Sequence, residues 1–202
     1  MPKIVDAQIR EATRQRILRE AAREFARLGF DQANINLIAE QAGIGKGTIY
    51  LYFENKRALF IEMLRSIAQS QLASLRAALA EKGTLQQRLE RLVLAFARMA
   101  EEDSDSFHVY MSSLYGVNRA FQAEATKQLH EYLAVIAHIL EESQQAGEIQ
   151  IEDVEMTALR IFSATESFVL SARVLGYTEQ EITRQASVIA HQVLHGIGVH
   201  AG

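Results

Sequence analysis

Asn34–Lys56 reads N-I-N-L-I-A-E-Q-A-G-I-G-K-G-T-I-Y-L-Y-F-E-N-K. Asn34 is a favoured N-cap for a short helix carrying Ile35, Ile38 and Ala42 on one face, and Gly43 suits its C′ position. After Ile44 and Gly45, a second short helix is expected over Lys46–Phe53, with Ile49 and Phe53 four residues apart on its buried side. Lys46, Gly47, Thr48, Tyr50, Leu51 and Tyr52 are left outward or flanking. A helix this short that turns tyrosines, a threonine and a lysine to solvent contributes little as core. It fits the second helix of a helix-turn-helix, where hydroxyls and an ammonium reach phosphates and a glycine permits close approach to base edges.

The flanks extend the pattern. Upstream, R-Q-R-I-L-R-E-A-A-R-E-F-A-R-L-G-F places Ile17, Leu18, Ala21, Ala22, Phe25 and Leu28 at helical spacing, with Gly29 as the stop. Downstream, F-E-N-K-R-A-L-F opens a long helix. In this order and spacing, from near Arg10 to near Met63, the chain resembles the TetR family of bacterial transcriptional regulators. The resemblance implies an all-α fold, with a three-helix DNA-binding head followed by a six-helix body that binds an effector and dimerises. It implies phosphate contacts from Thr48, Tyr50, Tyr52 and Lys56, and places Lys46, Gly47 and Leu51 nearest the bases. Lys46 would donate to guanine and Leu51 would meet a thymine methyl. Two positions depart from the family pattern. Gly45 stands where a hydroxyl residue commonly caps, and Arg57 stands where an acidic residue is common. Arg57 opposes the dipole of its helix, so it is either a further phosphate contact or incidental. Arg10 and Arg14 either reach the DNA backbone or minor groove or belong to the first helix alone.

The 202 residues carry a net charge of −4, but its distribution is uneven. Through Arg65 there are 11 Lys and Arg against 8 Asp and Glu, a balance of +3; the remainder holds 10 against 17, a balance of −7. A basic head on an acidic body is expected if only the head meets phosphate. The sole proline is Pro2, cysteine is absent, and no apolar run is long enough for a membrane span. A cytoplasmic protein is expected.

The rest reads as helices with short punctuation, about nine in all. A fourth runs from the Asn55 cap to about Lys82, and Thr84–Gln87 is a capping box opening a fifth. Ser104 or Asp105 caps a sixth, Asn118 a seventh running to Ala146, and Asp153 an eighth that stops at Gly176. Thr178–Glu181 is a second capping box for the ninth. The expected division is residues 1–54 as DNA-binding domain and 55–202 as effector-binding and dimerisation domain, joined by a continuous fourth helix able to carry a shift from body to head.

The eighth helix is apolar nearly all round, and the ninth adds the stripe Ile182, Ala186, Ile189 and Val193. Either the monomer wraps these helices or the chain self-associates through them; in the resembled family this pair builds a four-helix dimer interface, in which Phe168 would join the stripe. A homodimer implies a near-palindromic operator. Candidates for a mostly apolar effector pocket are Phe96, Met99, Phe107, Tyr110, Met111, Tyr115, Phe121, Phe162 and the intrahelical carboxylate Glu166. The aromatic and Met side chains are otherwise ordinary core, and Glu166 is otherwise explained by a partner such as Arg119 or a water-filled gap.

His191 and His195 share a helical face, yet a surface pair is the simpler account and no metal site is expected. G-I-G-K-G-T lacks the spacing of a phosphate-binding loop, and no catalytic constellation or cofactor site is expected. The leading expectation is a DNA-binding repressor released by a small molecule. The alternatives are an architectural or division-linked DNA binder whose body engages another protein, and a helical enzyme or binding protein.

Overall fold

The computed structural model describes residues 2–116 and 119–196. Over these residues the regular structure is entirely helical: eight α-helices and two short 3-10 turns. They are α1 (Pro2–Gln32), α2 (Ile35–Gln41), a 3-10 turn (Thr48–Leu51), α3 (Lys56–Ala80), α4 (Leu85–Glu102) and α5 (Ser104–Tyr115), then a 3-10 turn (Arg119–Phe121), α6 (Gln122–Gln145), α7 (Val154–Val174) and α8 (Glu179–Gly196). The count differs from nine because the expected second helix of the helix-turn-helix is not α-helical.

Local signals place most boundaries. Gly29, at φ 70° and ψ 175°, breaks α1 one turn before its end. The Asn34 side chain accepts the Asn36 N–H at 2.9 Å, and that of Asn55 accepts the Ala58 N–H at 2.9 Å. Thr84 and Gln87 form the expected reciprocal capping box, and Asp153 caps α7 through the Met156 N–H. Thr178 and Glu181 exchange the equivalent contacts ahead of α8. Asn118, expected to cap the helix that follows it, lies outside the described residues.

The chain gathers into two compact units, Met1–Gln69 with Asp105–Thr126, and Ser70–Ser104 with Lys127–Gly202. α3 is continuous and contributes to both. In the first unit α1 buries Ile17, Leu18, Ala21, Ala22 and Phe25. Each large side chain contributes about 1.5–3 kcal/mol of hydrophobic stabilisation. α2 packs on α1, and the 3-10 turn on α2.

In the second unit α4 is the organising element. Its buried face, Leu85, Leu89, Leu92, Val93, Phe96 and Ala100, packs against α7 and α8. Phe96 meets the Phe162 ring edge-on at 5.5 Å. The stripe Ile182, Ala186 and Ile189 is buried in this same core, Ala186 and Ile189 clustering with Val93, while Phe168 and Val193 pack half-buried beside them. Ile182, Ala186 and Ile189 are thus buried within the subunit, whereas Phe168 and Val193 remain partly open. The exposed large apolar side chains of the pair and its connection are Val174 (79% exposed), Leu175 (75%), Tyr177 and Val188. No helix among the described residues is long and apolar enough to cross a membrane.

Candidate nucleic-acid interface and effector pocket

Gly45 and Gly47 leave too few good helix formers to nucleate an α-helix between Ile44 and Phe53. The segment instead closes i→i+3 hydrogen bonds, Thr48 N–H to Gly45 O at 2.8 Å and Tyr52 N–H to Ile49 O at 3.0 Å. The tight turn keeps the expected polarity of the segment. Ile49 and Phe53 are buried, whereas Tyr50 is 51% and Leu51 73% exposed, with Lys46 and Gly47 open beside them. Thr48 is half-buried. An exposed Leu thus stands beside an exposed Tyr in a segment anchored by a buried isoleucine and a buried phenylalanine.

The cations around this surface are engaged in different ways. Lys56, expected to meet phosphate, turns inward: its Nζ donates to the Asp31 carbonyl at 2.9 Å and the Ala33 carbonyl at 2.8 Å, and lies 5.0 Å from the Phe30 ring centre. Those carbonyls lie at the C-terminal end of α1, where carbonyls lack helical partners and attract a cation. Arg14 pairs with Glu62 and lies over the Phe53 ring. Arg10 stacks on the half-buried Tyr52 ring at 5.9 Å. Arg57 is exposed, its guanidinium 5.3 Å from the Phe121 ring centre. Lys46 thus remains as the exposed ammonium within the turn segment itself.

Glu24 was not singled out by sequence reasoning, and it holds the head together. It is buried, accepts the Asn34 backbone N–H at 3.2 Å and pairs with Arg27 at 2.8 Å. Its signal was present: position 24 falls on the apolar stripe through Ile17, Ala21 and Leu28, where a carboxylate requires partners.

The candidate pocket residues fall in different units. Phe107, Tyr110, Met111, Tyr115 and Phe121 belong to the first; Phe96, Met99, Phe162 and Glu166 belong to the second. Tyr115 is 59% exposed and lines no core. Phe121 lines a cleft of about 280 Å³ with Phe25, Phe30 and Phe60. In the second unit, Phe162, Phe96 and Tyr132 form an aromatic core group, and the Tyr132 hydroxyl donates to Gln71 Oε1 at 2.8 Å. Burial raises the Tyr132 pKa, and neighbouring Glu131 adds to the shift, so the hydroxyl stays a donor. Glu166 is buried one turn beyond Phe162. A groove of about 520 Å³ runs along α7 and α8 past Phe168, Leu175, Tyr177 and Arg184.

No group of three metal-ligating side chains occurs among the described residues. His191 is exposed; the side chain of His195 lies outside the described residues.

Comparison with known proteins gives two family matches. Residues 17–63 match the model for bacterial regulatory proteins of the tetR family, and residues 82–170 match the tetracyclin repressor-like C-terminal domain. The fatty acid metabolism regulator protein of Bacillus subtilis is 28% identical over 154 residues, 76% of this chain and 79% of that one. The fold is that of the fatty acid degradation regulator FadR from Bacillus halodurans (TM-score 0.79, 24% identity, 90% of this chain and 98% of that chain). It is equally that of FadR from Bacillus subtilis in complex with stearoyl-CoA (TM-score 0.77, 24% identity, 91% and 98%).

Proposed function

The chain belongs to the TetR family of bacterial regulatory proteins and is a ligand-responsive DNA-binding transcriptional regulator, and from that premise we propose that it represses as a homodimer and is released by a long-chain acyl-CoA thioester. The observation that carries the DNA-binding half is the exposure of Tyr50 and Leu51 on a turn anchored by buried Ile49. In this reading Lys46 and Leu51 meet bases, Thr48, Tyr50 and Tyr52 meet phosphates, and Arg57 supplies a further cation. Residues 1–54 act as the reading head and residues 55–202 as the responding body.

The acyl-CoA assignment is supported by the relative that regulates fatty acid metabolism and by the neighbour bound to stearoyl-CoA. An acyl chain suits the second unit, whose buried aromatic side chains include Phe96, Tyr132 and Phe162. α3, helical without a break from Lys56 to Ala80, is the proposed carrier of the signal. The dimer reading rests on the exposed Val174, Leu175, Tyr177 and Val188. Exposed Ser163, Ala164, Ser167 and Ser171 on α7 would let a second helix approach closely. A cytoplasmic location and the absence of enzymatic activity go with this reading.

The test begins with selection of an operator from random duplexes and measurement of binding by fluorescence anisotropy. Stearoyl-CoA should weaken binding at least ~10-fold, because release requires a ligand that prefers the DNA-incompetent state. Free coenzyme A should have no effect. Equal affinity with and without stearoyl-CoA would remove the effector assignment and leave the DNA reading standing.

A further inference from the structure

The aromatic cleft of the first unit has no part in the function just described. Phe25 and Phe30 from α1, Phe60 from α3 and Phe121 from the turn before α6 form one cluster. Ring centres are 4.2 Å apart for Phe60–Phe121, 4.6 Å for Phe30–Phe121 and 4.8 Å for Phe25–Phe60. The cleft beside them holds about 280 Å³, with the exposed His108 and Ser112 of α5 among its lining residues.

The dimensions and chemistry narrow the occupant. The volume lies just below the range for drug-sized ligand sites, about 300–1,000 Å³, which suits one or two rings rather than a long chain. Offset and edge-on contacts with phenylalanine rings favour a flat aromatic guest. His108 is the one ionisable side chain among the described lining residues, and no carboxylate there balances an ammonium. Lys56 and Arg57 are engaged with the rings of Phe30 and Phe121 and do not line the cleft. Ser112 and His108 offer hydrogen bonds to a hydroxyl.

The same rings hold the cations that begin α3. Lys56 lies over Phe30 while it ties down the Asp31 and Ala33 carbonyls, and Arg57 lies over Phe121. These two residues follow closely on the exposed turn, so a guest that resets Phe30 or Phe121 resets the first turn of α3. We propose that this cleft is an effector site for an uncharged one- or two-ring aromatic molecule bearing a hydroxyl, and that its occupation weakens DNA binding. The binding half stands independently of the acyl-CoA assignment; the coupling half rests on the DNA-contact reading of residues 46–52.

The test uses the full chain and 2-naphthol as probe. Calorimetric titration should show saturable binding of one 2-naphthol per chain. Ser112→Trp should fill the cleft and weaken that binding at least ~10-fold, with Ser112→Leu as a second variant should the larger ring disturb folding. Saturating 2-naphthol should lower operator affinity about 10-fold, within the usual range of allosteric coupling, and should leave the operator affinity of the filled variant unchanged. Unsaturable binding, or equal binding by both filled variants, would overturn the site. Saturable binding with unchanged operator affinity would overturn the coupling. The stearoyl-CoA response of Ser112→Leu reports on the other effector, so the two assignments fail separately.

Discussion

The Lys56 ammonium sits 2.8 Å from the Ala33 carbonyl oxygen, joining the first residue of α3 to the corner between α1 and α2. A lysine placed by family resemblance at the DNA backbone thus also ties the end of α1 to α3. Lys56→Met keeps the aliphatic stem but loses the donors. It should lower stability by about 1–3 kcal/mol in urea unfolding, the scale of a charged hydrogen bond, discounted for partial exposure. The salt dependence of operator binding should hardly change. A slope reduced by about 0.9 per subunit, with stability intact, would instead make Lys56 a phosphate contact.

Glu24→Ala should cost about 1–3 kcal/mol, because the Asn34 N–H loses its acceptor in a part-buried setting. Glu24→Gln keeps an acceptor and should cost less. Chemical denaturation of both variants checks the order; equal losses would show that the charge pairing with Arg27, not the backbone bond, matters.

Tyr50→Ala and Leu51→Ala should both leave unfolding unchanged within about 0.5 kcal/mol, since exposed substitutions seldom do more. Their effects on DNA should differ. Tyr50→Ala should weaken all duplexes uniformly, whereas Leu51→Ala or Lys46→Ala should alter preference among sequences by about 1–3 kcal/mol at one position. Competition binding against single-substitution operators separates the two patterns.

Gly43 holds φ +67° just after α2. Gly43→Ala should cost about 1–2 kcal/mol, because a Cβ is strained in that region. Gly45→Ser should be tolerated within about 0.5 kcal/mol, because Gly45 is exposed and its Cβ would lie 3.4 Å from Thr48 Oγ1. Thermal melts of the pair test the contrast directly.

Two carboxylates are held below their ordinary value of 4.5. Glu142 is lowered by the Arg88 hydrogen bond and charge, and Glu181 by the Thr178 backbone N–H and hydroxyl. A depressed folded value means stability present above the unfolded pKa and lost as pH falls through the folded one. Melting temperature should therefore drop on acidification below about pH 4.5. Glu142→Gln and Glu181→Gln should each reduce the difference between melts at about pH 6 and about pH 3. An unchanged difference in both variants would place the acid sensitivity elsewhere.

What could be read without coordinates was whatever depends on neighbours a few residues away. Asn34, Thr84, Asp153 and Thr178 announced helix starts because capping is a bond between residues two or three apart. Gly29, Gly43 and Gly176 announced stops for the same kind of reason, and Ile49 with Phe53 marked the buried side of the segment between α2 and α3. The family itself was legible from the order of these signals.

Three-dimensional contact decided what periodicity leaves open. The stripe on α8 was visible, but a sequence does not say whether such a stripe meets its own chain or another; packing against α4 buried Ile182, Ala186 and Ile189 at home. Likewise Lys56 is a cation in any reading, and only the approach of the Asp31 and Ala33 carbonyls, more than twenty residues earlier, turned it inward. The collection of Phe25, Phe30, Phe60 and Phe121 into one cluster required α1, α3 and the turn before α6 to meet. Local bonds are encoded by spacing along the chain; the partners of a long side chain or an apolar face are encoded by which surfaces collapse together.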